Sequence, residues 1–90
     1  MTQQIALVTG ANRGLGFEVC RQLGQQGLTV VLTSRDEAKG QAAAETLQNE
    51  GLDIHYRPLD VADFDSIAAI PAYLQTTFGR LDVLVNNAAI

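Results

Sequence analysis

In the stretch LVTGANRGLG, Leu7 to Gly16, glycines stand at Gly10, Gly14 and Gly16, straight after an apolar run and straight before a helix-like one. Residues without side chains at such a junction suit the binding of an anion. The free amides at a helix start point outward, and the helix dipole adds to their pull on a negative group, commonly a pyrophosphate. A side chain at Gly14 or Gly16 would obstruct either that ligand or the close packing of helix on strand, and Gly10 supplies the dihedrals of the tight turn. The spacing Gly10-x-x-x-Gly14-x-Gly16 is not G-x-G-x-x-G, and Gly14 lacks the neighbouring Lys-Ser/Thr of a P-loop. A tight, ligand-free turn would use the same glycines, so the flanking elements must decide.

Those elements alternate. Gln3–Thr9 is short, apolar and β-branched, as a strand buried on both faces would be. Leu15, Val19 and Leu23 recur every four residues and predict one stripe of a helix running to about Gln26, closed by Gly27. Leu28–Ser34 reads as a second buried strand. Asp36 is placed to cap the helix of residues 37–50, in which Gly40 is a weak point of ~1 kcal/mol relative to alanine. Gly51 ends that helix and DIHYRPLDV gives a third strand, with Pro58 suiting a sheet edge. Asp63 can cap a third helix whose apolar face is Ile67, Ile70, Leu74 and Phe78. Pro71 should kink or split it, and Gly79 should stop it. Leu81–Asn87 is the fourth strand. Strands and helices in turn, with short links, mean an α/β fold with a parallel sheet and right-handed crossovers. The expected strand order is 3-2-1-4, in a Rossmann-type, doubly wound arrangement. DVLVN would then be an open, apolar edge.

Composition narrows the function. The 90 residues carry a formal charge of −4 and are 47% hydrophobic, enough for one small packed domain. No basic stripe is available for nucleic acid, no apolar run is long enough to span a bilayer, and MTQQIALV has no basic leader. The single cysteine, Cys20, excludes an internal disulfide. The expectation is a soluble, cytoplasmic protein with neither nucleic acid nor membrane as partner.

TGANRGLG (Thr9–Gly16) resembles the TGxxxGxG fingerprint of the short-chain dehydrogenase/reductase family. LDV (Leu59–Val61) and NNAA (Asn86–Ala89) are similar to that family's adenine-contact Asp and its NNAG segment. The resemblance runs over the whole chain but only over the family's N-terminal third or so. TGANRGLG with LTSRD, GQAAAETLQ and LDVLVNNA looks most like the carbonyl reductase branch. It implies a nicotinamide dinucleotide held by Gly10, Asn12, Arg13, Gly14, Leu15 and Gly16 in the loop, by Ser34 and Arg35 after the second strand, by Asp60 and Val61 after the third, and by Asn87, Ala88 and Ala89 after the fourth.

The residues also indicate which dinucleotide. A cofactor without a 2′-phosphate is usually held by an acidic residue at the end of the second strand. By alignment with the family that position is Ser34, and Arg35 follows. A guanidinium pairs bidentately with a phosphate, and Arg13 can reach the same group from the loop. Asp36 could serve NAD, but its better reading is the helix cap. NADP is therefore expected. The Asp60 carboxylate can accept the adenine amino group while the Val61 amide donates to the ring; a turn or cap role is the alternative. The resemblance further implies that Asn87 braces neighbouring strands. Ala89 replaces the family's glycine, which places a methyl near the adenine ribose.

Other reactive side chains are not promoted. His55 has no second ligand in any motif, so no metal site is expected, and Cys20 reads as a structural thiol. Glu45, Glu50 and Asp53 read as a solvated face. The family's chemistry uses a Ser and a Tyr-x-x-x-Lys. Tyr73 is followed four residues later by Thr77, and the only lysine is Lys39, so no catalytic residue is assigned. Two functions remain. One is the cofactor-binding, N-terminal part of an NADP(H)-dependent oxidoreductase acting on a small carbonyl or alcohol. The other is a non-catalytic nucleotide-binding module.

Overall fold

The computed structural model describes residues 3–88. Four strands, β1 (Ile5–Val8), β2 (Thr29–Ser34), β3 (Ile54–Pro58) and β4 (Val83–Val85), form one sheet in the order β3-β2-β1-β4. All three pairings are parallel, with Leu7 opposite Val31 on one side and Leu84 on the other. The expected Rossmann-like topology is present, though each strand is shorter than its apolar run. Asp60 and Val61 in particular lie in the turn beyond β3.

Helices α1 (Gly14–Gln25) and α2 (Glu37–Asn49) cover one face of the sheet, where Ala6, Val8, Cys20, Val30, Leu32 and Leu47 form the larger core. The short α3 (Phe64–Ala68) and α4 (Ile70–Thr77) follow β3, and α4 helps cover the other face, where Ile5, Leu7, Val31, Leu59 and Leu74 meet. Alternate residues of β1 and β2 thus enter opposite cores, so both strands read as unbroken apolar runs. Asp36 accepts from the Lys39 amide at 3.0 Å and caps α2, and Asp63 caps α3 through the Asp65 amide at 3.0 Å.

One expectation changes in part. Val19 and Leu23 of the expected stripe are half-buried against the larger core, but Leu15 is 73% exposed, and the residues α1 buries fully are Gly16, Cys20 and Gly24. The centre of the contact face is turned by one residue, ~100°, because small residues let the helix sit close. A Cβ on Gly24 would stand 3.2 Å from Leu52. The expected split at Pro71 is present: the segment forms α3 and α4, and Pro71 occupies the first turn of α4, where no amide partner is lost. Of the expected apolar face only Leu74 is buried; Ile67 is exposed.

Candidate functional site

Parallel strands bring their C-terminal ends to one rim, and all four ends open onto a cleft of about 620 Å³. The loop after β1 contributes Gly10, Asn12, Arg13 and Gly14. The turn after β2 contributes Arg35 and Asp36, and the first turn of α2 adds Lys39. Leu59, Asp60, Val61 and Ala62 follow β3, and Asn87 and Ala88 follow β4.

The three loop glycines answer to different demands. Gly10 has φ 59°, and a Cβ there would lie 2.9 Å from the Ala88 Cα. Gly16 is a matter of space alone: a Cβ would meet the Asn87 Nδ2 at 2.6 Å and the Gly10 carbonyl oxygen at 2.9 Å. Gly14 has φ 64° but nothing within 4 Å of its Cβ direction, so its bare backbone borders open cleft rather than protein.

The helix starts differ as well. α2 and α3 are each closed by an aspartate. α1 begins at Arg13 with no side-chain cap and no acidic residue in its first turn, so its leading amides are left for another acceptor. The cations repeat the theme. Three of the six lysines and arginines, Arg13, Arg35 and Lys39, line the cleft. Among the described residues none of the three makes an ion pair, whereas Arg21 pairs with Glu18 and Glu50, and Arg80 with Asp82. Arg57, the sixth, lies over the Tyr73 ring. An acidic protein thus gathers three of the four cations that make no ion pair among its described residues around one uncapped helix start, an arrangement suited to a ligand carrying more than one phosphate.

The loop is held rigidly. The Thr9 hydroxyl accepts the Asn87 and Ala88 amides at 2.9 and 3.0 Å and lies 3.2 Å from Asn86 Oδ1. The Asn87 side chain donates to the Gly10 carbonyl at 3.1 Å. These bonds tie the end of β4 to the glycine turn. The Ala11 amide donates to the Thr33 carbonyl at 2.8 Å and secures the turn to β2.

A family model described as short chain dehydrogenase matches residues 4–90. The chain belongs to the short-chain dehydrogenase/reductase family. Within it the chain is carbonyl reductase-like. It is 54% identical to (+)-neomenthol dehydrogenase of Arabidopsis thaliana, over 99% of this chain and 31% of that protein. It is 53% identical to carbonyl reductase [NADPH] 1 of Sus scrofa, over 97% of this chain and 30% of that one. Among solved structures, menthone neomenthol reductase from Mentha piperita superposes on the whole chain with a TM-score of 0.94 at 48% identity, over 33% of its own length. The chain thus spans about a third of the length of these short-chain dehydrogenases and reductases.

The structure brings together Gly10, Asn12, Arg13, Gly14, Arg35, Asp60, Val61, Asn87 and Ala88. It sets Leu15 and Gly16 outside the lining, Leu15 facing solvent and Gly16 packed beneath the loop. Ser34 is fully buried, and its hydroxyl donates to the Asp36 carbonyl at 2.8 Å rather than pointing into the cleft. Ala89 lies outside the described residues. One Asp60 carboxylate oxygen accepts the Ala62 amide at 3.0 Å, so this residue shapes its own turn as well as lining the cleft.

Sequence reasoning passed over Lys39 and Thr9. The first carries a signal, since it stands one helical turn from Asp36 on the helix that Arg35 introduces. Cys20 is buried on α1, and burial pushes its thiol up to about 12, as suits a structural residue. His55 bonds to Asp53 and meets Phe78 edge-on. No group of residues suited to a metal occurs among those described, nor does any helix long and apolar enough to cross a membrane.

Proposed function

We propose that this chain is the N-terminal, adenosine-phosphate-binding part of a Rossmann domain, residues 1–90, in an NADP(H)-dependent oxidoreductase that exchanges hydride with a small carbonyl or alcohol. The observation that carries the reading is the set of three unpaired cations around the uncapped start of α1. NADP differs from NAD by one phosphate on the adenosine ribose, so the unpaired charge discriminates the two. The carbonyl reductase relative named for NADPH supports the same choice.

In this reading the α1 amides and Gly14 take the diphosphate, while Arg13, Arg35 and Lys39 surround the 2′-phosphate. Asp60 and Val61 border the adenine, with Asp60 keeping one carboxylate oxygen free of the Ala62 bond. Asn87 holds the glycine turn in place through Gly10. Leu15, Gly16, Ser34 and Ala89 serve the site through the backbone or the packing around it. NADP(H), when bound, would donate or accept the hydride at its nicotinamide ring. The proton-transfer chemistry calls for a Ser together with a Tyr-x-x-x-Lys, and these 90 residues contain no Tyr-x-x-x-Lys.

Nucleotide binding tests the proposal. Titration calorimetry should show 2′-phospho-AMP binding more tightly than AMP. Arg35→Ala should weaken 2′-phospho-AMP by about tenfold, the loss of one charge-assisted contact at an exposed site, and leave AMP unchanged. Equal affinity of the wild-type chain for both nucleotides would defeat the NADP assignment.

A further inference from the structure

Beneath the cationic rim lies a polar arrangement built on Tyr56 and Ser34, neither of which lines the cleft. Tyr56, on β3, places its hydroxyl 3.2 Å from the Ser34 Oγ and 3.2 Å from the Ser34 carbonyl oxygen. Ser34 Oγ spends its single proton on the Asp36 carbonyl, so the Tyr56 hydroxyl is the donor to Ser34, shared between the two oxygens. The Asp36 carbonyl also accepts the Gly40 amide at 2.9 Å, the first bond of α2. The helix rests directly on this pair: a Cβ on Gly40 would fall 2.1 Å from Ser34 Oγ and 2.2 Å from Tyr56 Cε1. Gly40 is therefore where α2 is seated, not a flaw in it.

The consequence falls on Arg35. It stands alone between two residues clamped by this chain of bonds, and Lys39 adjoins the glycine that seats the helix. Both cations have long, flexible side chains, and both are exposed. Their reach toward one phosphate depends on where their backbone is held. The Tyr56 ring fills its space beside α2 whether or not it carries oxygen, and its oxygen bonds only to Ser34 among the described residues.

We propose that Tyr56 is a positioning residue for phosphate recognition: its hydroxyl, through Ser34 and the Asp36 carbonyl, sets the β2–α2 turn so that Arg35 and Lys39 converge on the 2′-phosphate. The proposal rests on the NADP reading and adds the element that makes the reading selective. Tyr56→Phe keeps the ring and removes the bonds. It should lower the affinity for 2′-phospho-AMP three- to tenfold, leave AMP affinity unchanged, and speed amide hydrogen exchange at residues 36–40. Ser34→Ala should move the same ratio in the same direction. A purely structural role would lower the melting temperature with both nucleotide affinities in constant ratio, and that result would overturn the proposal. If the wild-type chain fails to discriminate between the nucleotides, the NADP reading falls and this proposal with it. If the wild type discriminates and Tyr56→Phe keeps the full ratio, the positioning role alone falls.

Discussion

β2 and β4 flank the same strand and are built from the same kinds of residue, yet they live in different surroundings. All six residues of β2 are buried. β4 is half-buried at Val83 and Val85, and Leu84 at its centre is 61% exposed. β2 has a strand on each side; among the described residues β4 has β1 only. The other edge of the sheet, β3, is made differently again. It alternates with polar His55 and Arg57 and ends in Pro58, features that discourage pairing with a further strand. β4 has none of them, and apolar grooves of about 360 and 380 Å³ lie beside it, both lined by Leu7, Ile70, Pro71 and Leu84. Burial here follows the number of neighbours a strand has, not its composition.

Two leucines test that lesson most severely. Leu32 is fully buried in β2, and Leu32→Ala should destabilise the chain by about 2–5 kcal/mol, since it removes buried methyl groups and leaves a cavity. Leu84→Ala should change stability by no more than about 0.5 kcal/mol, as at an open surface. Urea titration of the two variants reads the difference directly. A Leu84 loss as large as that of Leu32 would mean that β4 is covered in solution, and the contrast between the two strands would disappear.

The same contrast explains what could be read from the sequence. Strand order and the parallel arrangement were legible because β-branched runs such as TVVLTS end at glycines or capping aspartates, and because alternation of strands and helices leaves few topologies. The sheet-facing side of α1 is legible only in part. Hydrophobic periodicity weighs large side chains and finds Val19 and Leu23 at its border, but the residues buried deepest, Gly16, Cys20 and Gly24, are small. In the site, Arg13 and Arg35 were legible because they adjoin a loop and a strand end. Ser34 reads in the sequence as a rim residue, because its position in the chain cannot show that its hydroxyl turns inward. Gly40 reads in the sequence only as a weak point of its helix, because its contact with Tyr56 exists only once β2 and β3 are in register, with Leu32 opposite Tyr56 and Ser34 opposite Pro58.

A smaller effect separates the two helix starts. Asp36 closes α2, whereas α1 is left open. Asp36→Ala should therefore cost about 1 kcal/mol of stability, the usual worth of a side-chain cap. It should not weaken 2′-phospho-AMP, because it removes a negative charge from the rim and leaves Arg35 in place. Stability from thermal melts and affinity from calorimetry should thus move independently. A parallel loss of both would show that the cap is needed to present the cations.

The smallest effect concerns how β4 is attached. Its far end is tied through Thr9. Its near end is tied through Asp82, which accepts the Ile5 amide at 2.8 Å and pairs with Arg80. The Arg80 guanidinium and then the Ile5 amide hold the Asp82 carboxyl below its usual range. A carboxyl whose folded pKa is depressed adds stability that is present above its unfolded value, ~3.9, and is lost as the pH falls through the lower folded value. Acidification from pH 5 toward pH 3 and below should thus loosen β4 before β2. Amide hydrogen exchange would show it as faster exchange at residues 82–85 while residues 30–33 stay protected. Asp82→Asn should show the loosened pattern already at pH 5 and respond little to further acid. If β2 and β4 lose protection together in the wild type, the sheet opens as one unit, and the weaker hold on β4 is a matter of exposure alone.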